Sequence, residues 1–309
     1  MDWLTIWGYG AEIRAAGETL FVRKKGQRVP DTYQLADISH ILIAGDTVLH
    51  TSVVVKCSAR NIPISFFDIR GNPAGCTLAK VPRLSAAQDA VSAHAYAKAV
   101  IESSIEARMR ILHELAETHE NFYCKGEFEI LAQIRGELEY LITLPELSRA
   151  FTLTRDMYYE IISRAVPKDL GYKRRCESDA ADPVNVLFSK GYAALYATVQ
   201  TACIGAGLDL TKSSLFGREV PCSGYPCVRE IMEPALVPMV DRAVIKTAAE
   251  GLLSGAQKSG SRWILPEKAE EVFSKRLRES IDVFCIEANV KEYKDAVLAG
   301  KMPEFHYPA

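Results

Sequence analysis

The sequence predicts an α+β protein in which an N-terminal β-strand domain over residues 1–82 precedes a larger all-α domain over residues 83–309. Short apolar runs separated by glycine, proline and asparagine fill the first part of the chain. Beyond Pro82-Arg83-Leu84-Ser85, glycine nearly disappears for about forty residues, and alanine, glutamate and isoleucine dominate. A chain of 309 residues, 48% hydrophobic and 25% charged, is also too long for one small core and too apolar for disorder, so two globular domains are expected.

The predicted strands fall at residues 4–6, 19–23, 40–43, 53–56 and 64–67. Val53, Val54 and Val55 are consecutive and β-branched, which suits a strand buried on both faces. A short helix over residues 51–59 is the alternative, since periodicity cannot decide for so short a run. In the second half, Ala90, Ala93, Ala97, Ile101, Ile105, Met109 and Leu112 recur at helical spacing and mark a long amphipathic helix. Another helix should open at Asp182-Pro183-Val184-Asn185, with Asp182 as N-cap and Pro183 in the first turn, and close near Gly205 or Gly207. Tyr192 and Tyr196 share a face of it, suited to core packing or to stacking on unpaired bases. Pro145 suggests another helix start.

A net charge of -2 gives no global basic signal, so any nucleic-acid role must come from local patches. No basic region leads into a long apolar stretch and no run of about 18 apolar residues occurs, which predicts a soluble, cytoplasmic protein. The eight cysteines form no C-x-x-C pair, leaving buried thiols as the default; Cys222 and Cys227 could meet across a turn.

Ordered short segments then carry a resemblance. Gly8-Tyr9-Gly10-Ala11-Glu12-Ile13, Leu20-Phe21-Val22-Arg23, Leu35-Ala36-Asp37-Ile38-Ser39-His40-Ile41, Ala59-Arg60-Asn61-Ile62-Pro63-Ile64 and Phe67-Asp68-Ile69-Arg70-Gly71 run through the first domain. Arg174-Arg175, Asp182-Pro183-Val184-Asn185-Val186-Leu187, Gly191-Tyr192, Leu195-Tyr196, Gly207-Leu208-Asp209 and Met239-Val240-Asp241-Arg242 run through the second. In this order they resemble the DNA integrase/endonuclease family of CRISPR adaptation, which inserts new spacers into repeat arrays. The resemblance implies a homodimer whose β domains meet across a two-fold axis, helical lobes that hold double-stranded DNA, and a small ferredoxin-like adaptation partner bridging two dimers. It also implies prespacer integration by metal-dependent strand transfer, with a catalytically inactive DNA-binding or assembly subunit as the alternative.

In that family a glutamate, a histidine and a further carboxylate hold magnesium or manganese, hard cations that stabilise charge developing on a phosphoryl group. Glu230 and Glu233 match the spacing of the third contributor, with Asp241-Arg242 following, and Glu233 matches the liganding position better. Alternatively both glutamates sit at a solvated helix N-terminus. Pro234 would bend a helix there. Matching the family's first glutamate on Arg155 places Ala150 at that position, and matching on Tyr158 places Phe151 there; Glu146, about one turn upstream, substitutes only if the register shifts. The histidine's segment contains none, so Phe216 or a neighbour stands in its place. His40, His50, His94, His113 and His119 lie elsewhere and read as packing or surface residues. The site therefore reads as degenerate. Lys173, Arg174 and Arg175, with Arg149 and Arg155 as additions, form the best candidate DNA patch, or else a solvated loop.

Overall fold

Parallel strands cannot be joined by a tight turn, and this requirement shapes the first domain. The structure, a computed structural model, describes residues 2–60, 62–77, 83–118, 122, 124–176, 181–217, 219–260 and 262–307. His119 lies outside the described residues, as do Asn61 and Pro82 of the quoted segments. The chain divides into two compact units, Met1–Val81 and Pro82–Ala309.

In the first unit, β1 (Asp2–Trp7), β2 (Ala11–Ala16), β3 (Thr19–Arg23), β4 (Asp31–Gln34), β5 (Ile38–Ala44) and β6 (Thr47–Leu49) come before α1 (Thr51–Ala59), and β7 (Ile64–Phe67) and β8 (Pro73–Cys76) follow it. They form two four-stranded sheets, ordered β1-β5-β7-β8 and β4-β3-β2-β6. β5 is parallel to both β1 and β7, while β2, β3 and β4 pair antiparallel. Leu4, Ile6, Ile13, Leu20, Val22, Ile41, Ile43 and Ile64, contributed by both sheets, share one core cluster.

The strand expected at residues 53–56 is instead part of α1. The chain passing from β5 to its parallel neighbour β7 needs a crossover, and α1 lies within it. Val53 and Cys57, four apart, are buried, whereas Val55 is 65% exposed, a helical pattern that strand alternation would not produce.

The second unit contains α2 (Ser85–Ala90), α3 (Ala93–Thr118), α4 (Lys125–Glu137), α5 (Leu144–Ile162) and α6 (Pro183–Ala206). After these come α7 (Pro226–Met232), α8 (Arg242–Ala249), a hairpin of β9 (Gln257–Ser259) and β10 (Arg262–Ile264), then α9 (Glu267–Ser280) and α10 (Val283–Ala299). The long helix expected from Ala90 is interrupted at residues 91–92, so Ala90 ends α2 and α3 begins at Ala93. The hairpin is a small departure from an all-α domain.

α6 begins and ends where the sequence indicates. Asp182 accepts the backbone N–H of Asn185 at 2.8 Å, and Gly207 closes the helix at φ 80°, a conformation that costs glycine nothing. Tyr192 and Tyr196 are buried, as expected of core residues. Gly191 lets α6 approach the 237–241 turn closely: a Cβ there would lie 2.4 Å from Val240 Cγ1. No described helix is long and apolar enough to cross a membrane.

Candidate functional site

The segment from Glu230 to Asp241 cannot continue as one α-helix, because Pro234 and Pro238 remove backbone donors. α7 ends at Met232, the chain tightens into a 3-10 turn over Glu233–Ala235, and Val237–Asp241 forms a π turn before α8. These irregular turns set Glu233 and Asp241 into the interior, where both are buried.

Glu233 meets α3. Arg108 Nη2 donates to Glu233 Oε1 at 2.6 Å, and Ser104 Oγ lies 3.4 Å from the same oxygen. The Arg108 guanidinium is 2% exposed, sits over the rings of Phe151 and Tyr158 at 5.4 and 5.9 Å, and reaches Thr154 Oγ1 at 3.5 Å. Phe151 and Phe216 pack edge to face with centroids 5.6 Å apart. Charge and rings therefore form one closed cluster.

Asp241 forms the adjoining layer. Tyr158 donates its hydroxyl to Oδ2 at 2.9 Å and Tyr192 donates to Oδ1 at 2.6 Å, while the Tyr159 and Tyr192 hydroxyls are 2.6 Å apart. Burial pushes the Asp241 carboxyl up to about 7, against the two tyrosine hydrogen bonds and the charge of Arg108, which pull it down. The same burial raises the hydroxyls of Tyr158 and Tyr192 well above their ordinary range, so they remain protonated donors.

Glu230 has other partners. Its carboxylate accepts from the Ser213 hydroxyl, from the backbone N–H groups of Ser214 and Leu215 at 2.6 and 3.0 Å, and from Tyr293 Oη at 2.8 Å. It thus ties the 213–215 loop to α7 and α10. Burial raises its carboxyl, and these hydrogen bonds work the other way. Glu146 caps α5 in a capping box with Thr143, accepting from the Thr143 N–H at 2.9 Å and the Thr143 hydroxyl at 2.8 Å. These bonds lower its carboxyl and hold it at the helix start, about 7.5 Å along the axis from Phe151.

The profile of the family CRISPR associated protein Cas1 matches residues 4–279. The chain belongs to the Cas1 family. As a Cas1 protein it is a member of the integrase/endonuclease family of CRISPR spacer acquisition. A Cas1 protein of Methanospirillum hungatei is 29% identical over 89% of this chain and 92% of its own length. The CRISPR-associated endonuclease Cas1 1 of Thermus thermophilus is 25% identical over 88% and 85%. Among solved structures, a casposase bound to integration product has a TM-score of 0.83 at 18% identity, covering 99% of this chain and 93% of that one. A Cas1 protein from Thermotoga maritima has a TM-score of 0.78 at 16% identity, with both chains fully covered. A Cas6-RT-Cas1–Cas2 complex has a TM-score of 0.81 at 16% identity, covering 97% of this chain and 35% of that one.

Within this Cas1 fold the residues singled out from sequence separate into groups. Phe151 and Glu233 come together around Arg108, Phe216 packs on the Phe151 ring, and partly buried Ala150 packs against the cluster that holds both phenylalanines. Glu146 and Glu230 serve the helix cap and the loop tie described above. Among the described residues, no group of three or more His, Cys, Asp or Glu side chains is arranged to hold a metal ion. Magnesium or manganese, which the family implies, therefore finds a donor set that does not fit: Glu233 is in an ion pair with Arg108, Asp241 is taken up by the Tyr158 and Tyr192 hydroxyls, and the Phe151 ring beside Arg108 offers no lone pair.

Of the basic residues, Lys173 and Arg174 are exposed. Arg175 is instead committed to α6: it donates to Asn185 Oδ1 at 3.0 Å and Ser189 Oγ at 3.2 Å, and lies 5.4 Å above the Tyr192 ring. Arg155 lies 5.6 Å over the Phe151 ring, on which Arg108 also packs, and Arg149 is exposed. The histidines have local partners, with His40 on Ser65, His50 on Glu12, His94 on the Leu141 carbonyl and His113 on Glu117. All eight cysteines are free thiols, and Cys227 contacts buried Cys203 within the core. Sequence reasoning missed Arg108, although it sits between Ile105 and Leu112 on the apolar stripe of α3. A lone arginine on such a stripe was the available signal.

Proposed function

We propose that this Cas1 protein binds double-stranded DNA during spacer acquisition, working as a homodimer through its N-terminal β unit and together with a small ferredoxin-like partner of the Cas2 type. The observation that carries this reading is the family match over residues 4–279, which spans both units. The casposase bound to integration product and the Cas1–Cas2 complexes among the structural neighbours support DNA and a Cas2-type protein as the partners to test. Duplex binding rests on neutralising phosphates, which requires exposed cations such as Lys173, Arg174 and Arg149 and no metal. The comparisons with relatives favour strand transfer as the activity.

A second reading, a DNA-binding or assembly subunit without strand transfer, rests on one observation, the buried Arg108–Glu233 pair covered by the Phe151 and Tyr158 rings. Half-site integration with manganese, run beside Glu233→Ala, separates the two. Product that disappears in the variant establishes the integrase activity. Duplex binding without product establishes the subunit reading, and no binding even at low salt removes both.

A further inference from the structure

A guanidinium taken out of water is strongly disfavoured unless its charge and its N–H groups are met. Arg108, 2% exposed, is met from several sides. Glu233 takes its charge at 2.6 Å, Thr154 lies 3.5 Å from Nη1, and the faces of Phe151 and Tyr158 accept the planar cation. Through Tyr158, whose hydroxyl donates to Asp241, the guanidinium is also linked to a second buried carboxylate. One organic cation is thus built between two acidic side chains contributed by the Glu233 and Asp241 turns.

We propose that Arg108 is a resident cation that performs the charge-neutralising role a divalent metal would otherwise have in this centre, making the centre complete without an ion. A magnesium or manganese site needs several oxygen or imidazole donors converging on one point. Here Glu233 meets a guanidinium, which has donors and no acceptor, and that guanidinium lies against the Phe151 ring, itself packed edge to face on Phe216. The guanidinium also repels any divalent ion approaching Glu233. The proposal deepens the subunit reading given above, but its test uses the protein without DNA, so failure of one does not entail failure of the other.

Two measurements decide it. In a manganese titration followed by the electron paramagnetic resonance of the free ion, the wild-type chain is expected to leave the signal unchanged up to about 1 mM, a range in which weak protein sites already fill. Uptake of one ion per chain below that concentration, abolished in Glu233→Gln, overturns the proposal. Thermal unfolding gives the second result. Arg108→Met and Glu233→Gln are each expected to lower the midpoint by roughly 10 °C, because each leaves a buried charge or donor unpaired. The double variant should lose no more than the worse single variant, since both halves of the pair leave together. Losses that simply add would show that the two residues act separately and would overturn the proposal as well. Should a single variant prove insoluble, the manganese titration of the wild-type protein still decides.

Discussion

Buried titratable side chains give individual residues a measurable effect in this protein, and His40 is the clearest case. It sits on β5 between β1 and β7, 4% exposed, with Nε2 3.0 Å from the Ser65 hydroxyl. Burial pulls its imidazole down from 6.5 to about 4. An unfolded chain would protonate this histidine near pH 6.5, whereas the folded one resists until about pH 4. Its contribution is therefore fully present above pH 6.5 and is lost as the pH falls through that window, reaching roughly 3 kcal/mol. In urea unfolding between pH 7 and pH 4, His40→Gln should flatten the decline by about that amount. An unchanged slope would mean that the imidazole is solvated in the native state.

At the scale of elements, the start of α6 fixes more than one helix. Asp182 accepts from Asn185 N at 2.8 Å and from Asn185 Nδ2 at 2.7 Å, while Asn185 in turn binds the Arg174 carbonyl and the Cys176 N–H. Asp182→Ala should cost about 2 kcal/mol in chemical denaturation, at the upper end for an N-cap because the site is buried. Asp182→Asn, which keeps an acceptor, should recover most of that loss; equal losses would count against the capping role. This element was legible in the sequence because its signals are local: an aspartate, a proline in the first turn and a glycine after the last. Residues 53–56 were ambiguous because the deciding fact, a crossover between parallel strands, lies in the topology and not in the run itself. For the site, the family resemblance implies that Ala150 or Phe151, and Phe216 or a neighbour, stand where metal donors are expected. It does not show that Arg108, on a helix more than forty residues from Phe151, would close the gap. Pro234 signals a bend after Glu233, but the i, i+3 spacing of Glu230 and Glu233 does not reveal that the two carboxylates take separate partners.

For the whole molecule, the question is how a chain with a net charge of -2 would hold the duplex proposed as its partner. The global field offers no attraction, so affinity must come from a few exposed cations, and each phosphate contact should appear in the salt dependence. The 173–175 trio divides by burial. Lys173 and Arg174 are exposed and available to phosphates, whereas Arg175 is held by Asn185, Ser189 and the Tyr192 ring. Lys173→Ala/Arg174→Ala should therefore weaken duplex binding and reduce the slope of log affinity against log salt by about 2, leaving thermal stability nearly unchanged. Arg175→Ala should do the reverse, lowering the unfolding midpoint with a smaller change in slope, because it exposes the Asn185 and Ser189 acceptors inside the α6 start. Fluorescence anisotropy with a labelled duplex across a salt series reads both quantities. If Arg175→Ala changed the slope while the double variant did not, the DNA-facing surface would have to be sought elsewhere, with Arg149 the next residue to test.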